Sequence, residues 1–345
     1  MPPRQTNEIR DFIIFNIEEH PSNITILTAE KFSVSRQAVL RHINKLIKDG
    51  ALTVEGNTRD RKYSLKPIID LTFQLSLKGL EEDIVWREKI SPILSDVPAN
   101  INKICYYGFT EMLNNAIDHS NGQKVIINIK RTLSDIQIWV IDDGVGIFNK
   151  IQKELGLNDI LHTILELSKG KLTTDPKRHS GEGIFFSSRI FDNFAIASGK
   201  LHFAHFSKPN SVEGSDWLLE NKAETVKGTG ISMKIKLNST RTTKDVFDYY
   251  SGNDDFGFTK THIPVFLAQH GEENLISRSQ AKRLLTRFDR FKEVILDFQD
   301  VESIGQAFAD EIFRVFHNEY PNINLYPINT NEQVLNMIKR AQNPM

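Results

Sequence analysis

The stretch from Glu111 to Ile147 constrains this chain most, because two short patterns in it set polar chemistry on an apolar scaffold. In Glu111-Met112-Leu113-Asn114-Asn115-Ala116-Ile117-Asp118-His119, the residues Glu111, Asn115 and His119 recur every four positions and share one helix face. Met112, Leu113, Ala116 and Ile117 supply the packing around that face, and Ser120-Asn121-Gly122 ends the helix. The second pattern, Val140-Ile141-Asp142-Asp143-Gly144-Val145-Gly146-Ile147, is an apolar strand running into a carboxylate and two glycines spaced D-x-G-x-G. Glycines at Gly144 and Gly146 let the backbone come close to a flat ring. Either pattern alone occurs by chance in surface helices and turns; the pair in this order is more specific.

Two further boxes follow. Ser180-Gly181-Glu182-Gly183-Ile184-Phe185-Phe186 is a glycine-flanked entry to a helix, where backbone N–H groups point at phosphate. Lys227-Gly228-Thr229-Gly230-Ile231-Ser232-Met233 leads into an apolar strand. The four boxes together resemble the GHKL family of ATP-binding proteins, which includes gyrase, MutL, the heat-shock chaperone, histidine kinases and anti-sigma kinases. The resemblance implies an α/β sandwich of the Bergerat type with ATP and Mg²⁺ as cofactors. It implies that Asn115 holds Mg²⁺, that Asp142 accepts a hydrogen bond from the adenine amine, and that Gly181 and Gly183 sit in a lid over the phosphates. Gly144, Gly146 and Thr229 complete the implied nucleotide contacts. Glu111 stands where gyrase-like and anti-sigma members carry the acid that orients or deprotonates the attacking group. A solvated helix followed by two ordinary turns is the alternative reading of the same residues.

At 345 residues the chain is too long for one typical domain, and two or three are expected. A net charge of −1 gives no global pull toward nucleic acid or membrane, so any such pull must be local. Cys105 is the only cysteine, which excludes an internal disulfide and a cysteine-based zinc cluster and fits a reducing cytoplasm. The opening Met1-Pro2-Pro3-Arg4-Gln5-Thr6-Asn7 lacks an apolar signal core, and no run is long and apolar enough for a membrane span. The histidines are scattered without metal-ligand spacing.

Local charge is found in the first segment, residues 1–66. Ile9, Phe12, Ile13 and Ile17 form a helical stripe ending before Pro21, Thr25 to Phe32 makes a short second helix, and Ser35 caps a third that turns Val39, Ile43, Leu46 and Ile47 inward. Ala51 to Val54 and Lys62 to Leu65 pair as a hairpin around Gly56 to Asp60. The pattern looks like a winged helix-turn-helix. The third helix offers Arg36, Gln37, Arg41, Lys45 and Lys48, and the wing offers Arg59, Arg61 and Lys62. Double-stranded DNA is the expected partner, since between Val34 and Lys66 there are eight Lys/Arg against three Asp/Glu. Such domains also serve protein contacts or dimerisation, and a homodimer is compatible with the sequence.

Residues 67–240 are expected to form the ATP-binding domain. Leu71, Phe73, Leu75 and Leu77 alternate with polar residues in a strand that pairs one face with a core. A helix carrying Ile84, Ile90 and Leu94 follows. Residues 149–180 read as the least regular part, with Lys169 to Arg178 as a mobile basic lid over phosphates. Residues 241–258 read as a linker. Over 259–345, strands alternate with helices, two of them opened by S-x-x-Q capping boxes at Ser277 and Ser303. Val294-Ile295-Leu296-Asp297-Phe298, a loop and an amphipathic helix resemble the STAS fold of anti-sigma factor antagonists, with Gln306 aligned to their phosphorylatable serine and Ser303 reading as a cap.

The sequence therefore reads as an α+β multidomain, ATP-responsive regulator with a slow ATPase, switching DNA binding or the binding of a regulatory protein partner. An anti-sigma-like protein serine kinase acting on a STAS-type partner is the alternative, and a module that only holds nucleotide is a third. A histidine kinase fits less well, because no histidine lies between His42 and His119 to serve as phospho-acceptor. If residues 1–66 bind DNA, replacing Arg36 and Arg41 by alanine should weaken duplex binding. It should also flatten the log–log salt dependence by about 0.9 for each phosphate that is no longer neutralised. Fluorescence anisotropy across a salt series reads both, and an unchanged slope would reassign the segment to protein contacts.

Overall fold

The computed structural model describes residues 3–57, 60–172, 181–209, 211–221, 225–251, 257–269 and 274–343. At the N-terminus α1 (Pro3–Asn16), α2 (Ile24–Phe32) and α3 (Arg36–Lys48) precede a hairpin of β1 (Leu52–Glu55) and β2 (Lys62–Leu65). Ser35 caps α3 as expected, its hydroxyl accepting from the Ala38 N–H at 3.2 Å. Ile9, Ile13, Ile24, Val39, Ile43 and Leu46 meet Leu52 and Leu65 of the hairpin in a core of their own.

The middle of the chain builds an antiparallel sheet. Its helices are α4 (Glu82–Val85), α5 (Ala99–His119), α6 (Ile147–Leu155), α7 (His162–Lys169), α8 (Gly183–Ile190) and α9 (Thr243–Tyr250). Its strands are β3 (Ile69–Ser76), β4 (Lys124–Arg131), β5 (Asp135–Asp142), β6 (Asn193–Gly199), β7 (Leu201–Ser207), β8 (Gly214–Glu220) and β9 (Val226–Lys236), in the order β3-β4-β5-β9-β6-β7-β8. Period-2 alternation turns Val125, Ile127 and Ile129, then Ile136, Ile138 and Val140, then Ile231, Met233 and Ile235 onto one buried face. Helices α5 and α8 lie against that face and against each other. The other face of β5 and β9 carries polar residues, and there Lys234 binds Glu18 at 2.6 Å and Asp135 at 3.4 Å while Lys236 binds Glu19 at 2.5 Å. Leu133, at the β4–β5 turn, packs on the N-terminal core.

The C-terminal unit holds β10 (Lys260–Pro264), α10 (Arg278–Leu285), β11 (Glu293–Asp297), α11 (Gln306–Asp310), α12 (His317–Glu319), β12 (Asn324–Ile328) and α13 (Glu332–Gln342). Its strands form a parallel sheet in the order β10-β11-β12. Ser277 and Gln280 form the expected capping box, and Asn331 caps α13. The structure is thus an α+β multi-unit chain. Among the described residues no helix is long and apolar enough to cross a membrane.

Several expectations change. β3 is an edge strand, so Leu71 stays exposed, while Leu77 is buried in the core and Phe73 and Leu75, half-buried, pack against it as expected. After α4 the backbone takes i→i+5 turns over Trp86–Ile90, which rephases the helix and puts Val85 and Trp86 inside while Ile84 is half-buried. Within 149–172, expected as irregular, α6 and α7 are helices, and Lys169 is wholly buried rather than part of a basic lid. The rest of that expected lid, 173–180, lies outside the described residues. Within the expected linker lies α9, whose Val246 and Tyr250 are buried. Ser303 does not cap α11: Gly305 donates its N–H to the Leu275 carbonyl at 2.8 Å, and this keeps the chain extended until Gln306.

Gly108 on α5 shows how closely helix and sheet approach, since a Cβ there would lie 2.3 Å from Phe191 Cε2 and 3.0 Å from Met233 Sδ. Gly108→Ala gains about 0.5–1 kcal/mol of helix propensity. It must displace a buried ring at a cost of about 1–3 kcal/mol. The variant should therefore melt below wild type in calorimetry, whereas an unchanged or raised Tm would mean that α5 can slide on the sheet.

Candidate functional site

A cavity of about 250 Å³ opens between α5, the ends of β5 and β9, α6, α7 and the start of α8. Glu111, Asn115 and His119 line it from one face of α5, as their four-residue spacing requires. Asn121 in the left-handed region (φ 54°) and the Ser120 hydroxyl, which accepts from the Gly122 N–H at 2.9 Å, end that helix where expected. Asp142, Gly146, Thr229, Gly181 and Gly183 line the same cavity.

Asp142 knits the site. Its Oδ1 accepts from the Gly144 N–H at 2.8 Å and the Thr229 N–H at 3.2 Å, joining the end of β5 to its own turn and to β9. Burial raises its pKa, against the lowering effect of those hydrogen bonds. Thr229 adds a second tie, its hydroxyl accepting from the Ile147 N–H at 3.0 Å at the start of α6. Gly146 precedes that helix at φ 85°, a backbone state that side chains disfavour.

Gly144 does not reach the cavity wall. A Cβ there would lie 2.1 Å from the Ser120 carbonyl oxygen, so this glycine allows the turn to close on the end of α5. Gly183 opens α8, and a Cβ on it would lie 2.0 Å from Glu111 Oε2. The glycine therefore lets the Glu111 carboxylate lie against the N-terminus of α8, where the helix dipole favours negative charge. Gly181 pairs across the base of the 173–180 segment, its carbonyl accepting from the Leu172 N–H at 3.1 Å.

Sequence reasoning missed Lys150. It lines the cavity from α6, with its ammonium 3.0 Å from the His119 carbonyl oxygen and 3.9 Å from Glu154. Its place one helical turn after Gly146 would have found it, had the segment after D-x-G-x-G been read as a helix. Leu167 and Leu172, which lie in none of the four boxes, line it together with Phe185 of the third.

Among the described residues no group of three or more His, Cys, Asp or Glu could hold a metal ion. Glu111 and Asn115 offer two side chains with hard oxygen donors on one wall. Of these, the Asn115 amide oxygen would be the protein's donor to a magnesium ion that brings phosphate and water ligands with it.

On the N-terminal unit Arg36, Gln37, Arg41, Lys45 and Arg61 are all exposed, and Arg59 lies outside the described residues. The contacts of this unit with the central sheet use Glu18 and Glu19, which leaves the outward side of α3 uncovered by those ion pairs.

Residues 280–335 match a STAS-like domain of unknown function (DUF4325). This STAS-like unit begins within α10 and contains β11, β12 and α11. Gln306, aligned to the antagonists' serine, is the first residue of α11. No curated protein matches the chain.

The raised Asp142 pKa has a sign for stability. The native state keeps the Asp142 proton more tightly than the unfolded chain, so this group favours folding most below the ordinary value of 3.8 and less as pH rises through the raised one. Asp142→Asn retains an oxygen for the Gly144 and Thr229 N–H groups and removes the buried charge. The nucleotide-free variant should melt at or above the wild-type temperature near neutral pH. If Asp142 pairs with an adenine amine, ATP affinity should fall about tenfold to a hundredfold in calorimetry. A clear loss of Tm without nucleotide would make the carboxylate structural.

Proposed function

We propose that the chain is an ATP-responsive regulator, in which a GHKL-type unit binds Mg-ATP and hydrolyses it slowly while a winged helix and the STAS-like unit carry the output to DNA and to a protein partner. The observation that carries this reading is convergence. Glu111, Asn115, Asp142, Gly146, Gly181, Gly183 and Thr229, drawn from separate elements of the chain, line one cavity.

In this reading the Asp142 carboxylate accepts from the exocyclic amine of adenine, which favours ATP over GTP because a guanine carbonyl at that place would be repelled. Met112, Ile147 and Ile231 supply apolar wall nearby. Gly183 and Ile184 at the start of α8 line the cavity, where their N–H groups would serve phosphate beside the Glu111 carboxylate, and Lys150 supplies a cation. Magnesium, held through Asn115, neutralises phosphate charge when bound. Glu111, one helical turn earlier, orients the attacking water and accepts its proton. The exposed basic side of α3 suits a phosphate backbone.

A second reading, transfer of the γ-phosphate to a protein serine, is favoured by one observation: the cavity shares its chain with a STAS-like unit, the fold of anti-sigma kinase substrates. Incubation with γ-labelled ATP separates the readings, giving free phosphate for the ATPase, labelled protein for the kinase and unchanged nucleotide for a holding module.

Glu111→Gln keeps size and removes the base. Mg-ATP affinity should stay within a few-fold, while phosphate release should fall by about 10²–10⁴, the usual worth of a general base. Hydrolysis at the wild-type rate would end the catalytic role of this carboxylate.

A further inference from the structure

The C-terminal end of α7 is finished by residues of another unit. A helix leaves its last carbonyl groups without intrahelical partners, and an eight-residue helix such as α7 is marginal by itself. Here the partners come from the C-terminal unit. The Thr261 hydroxyl donates to the Lys169 carbonyl at 2.8 Å, Arg287 Nη2 donates to the carbonyls of Glu166 and Gly170, and Arg290 Nη1 donates to the Lys171 carbonyl at 3.1 Å. In the reverse direction Lys169 Nζ donates to the carbonyls of Arg283 at 3.2 Å and Thr286 at 3.0 Å.

A buried ionic cluster sits at the centre of this joint. Lys169 Nζ is 2.6 Å from Glu166 Oε1, and Arg287 Nη1 is 3.2 Å from Glu166 Oε2, close enough for an ion pair though not aligned for a hydrogen bond. Burial pushes the Lys169 ammonium down to about 8 against the raising effect of Glu166. Apolar side chains would join two units with less desolvation, so a buried ionic joint is better suited to fixing register than to adding stability. Arg287 also holds a left-handed backbone (φ 66°), a strained state for any residue but glycine. Cations at a helix C-terminus complement its dipole as well.

The same short segment forms a wall of the cavity. Leu167 on α7 and Leu172 just beyond it line the space, and Leu172 donates its N–H to the carbonyl of Gly181, another residue of the lining. We infer that the STAS-like unit sets nucleotide affinity in cis, with Arg287 as the positioning residue that caps α7 and so fixes the Leu167–Leu172 wall. The inference rests on the reading of this cavity as a nucleotide site. Arg287 touches no part of the cavity itself and acts only through Glu166 and Gly170.

The test uses the full chain in four forms: wild type, Arg287→Met, Arg287→Lys, and, as a control in the STAS-like core, Phe308→Leu at a buried residue of α11. Two readouts are taken, Mg-ATP affinity by calorimetry and hydrogen exchange of the Gly170 and Leu172 amides. Arg287→Met should weaken Mg-ATP binding about tenfold, within the usual range for coupling between sites. It should also speed exchange at Gly170 and Leu172 while β4 and β5 amides exchange as before. Arg287→Lys, which restores the charge, should recover part of both effects. Phe308→Leu should lower Tm and leave both readouts at their wild-type values. Wild-type exchange at Gly170 and Leu172 in Arg287→Met would overturn the inference, as would equal effects from Phe308→Leu. If wild-type protein binds no ATP, the proposed function fails by that result alone, and the exchange data still decide whether Arg287 positions the wall.

Discussion

The close seating of α5 on the seven-stranded sheet is the contact from which the site follows. Gly108 permits it, with Phe191 and Met233 filling the space that a side chain would take. Once the helix lies there, its Glu111, Asn115 and His119 face must look over the ends of β5 and β9, where Asp142 and Thr229 emerge. Asp142 then locks the corner by accepting from two backbone N–H groups, and the turn through Gly144 closes on the carbonyl of Ser120. Polar groups from distant parts of the sequence thus share one cavity because an apolar contact sets the distance between their supports.

Much of this is legible in the sequence. The apolar runs that enter Asp142 and leave Gly228, and the four-residue spacing on α5, are short-range signals, and they place strands and helix face where the structure has them. Capping at Ser35 and Ser277 depends only on residues within one turn, and it too is readable. The misreadings have a common cause, which is long-range context. Lys169 looks like a solvated lid residue until Glu166, Arg287 and two carbonyls from the far end of the chain surround it. Ser303 begins a sound capping box, yet the bond from Gly305 to Leu275 overrides it. Leu71 alternates like a core residue, but strand order leaves it on an edge. Gly144 sits at the expected corner, where it permits a close approach to the Ser120 carbonyl that no local pattern announces.

The arrangement also separates tasks by location. The cavity lies at one end of β5 and β9, the N-terminal unit attaches at the other end, and the STAS-like unit holds α7. Each attachment engages an element that helps form the cavity wall, so neither unit hangs from the chain as an independent appendage. The apolar core is continuous from Leu77 to Ala341, and only the N-terminal helices and hairpin keep a core apart.

The run of β5 and β9 has a mechanical consequence. From Asp142 back to Asp135 the strand covers roughly 23 Å at about 3.3 Å per residue. Its neighbour β9 joins Thr229 near one end to Lys234 and Lys236 near the other. Paired strands scarcely stretch, so the length of this pair between the cavity end and the far end is held nearly constant. The pair thus acts as a spacer, which fixes how far the Glu18 and Glu19 anchor of the N-terminal unit stands from the cavity.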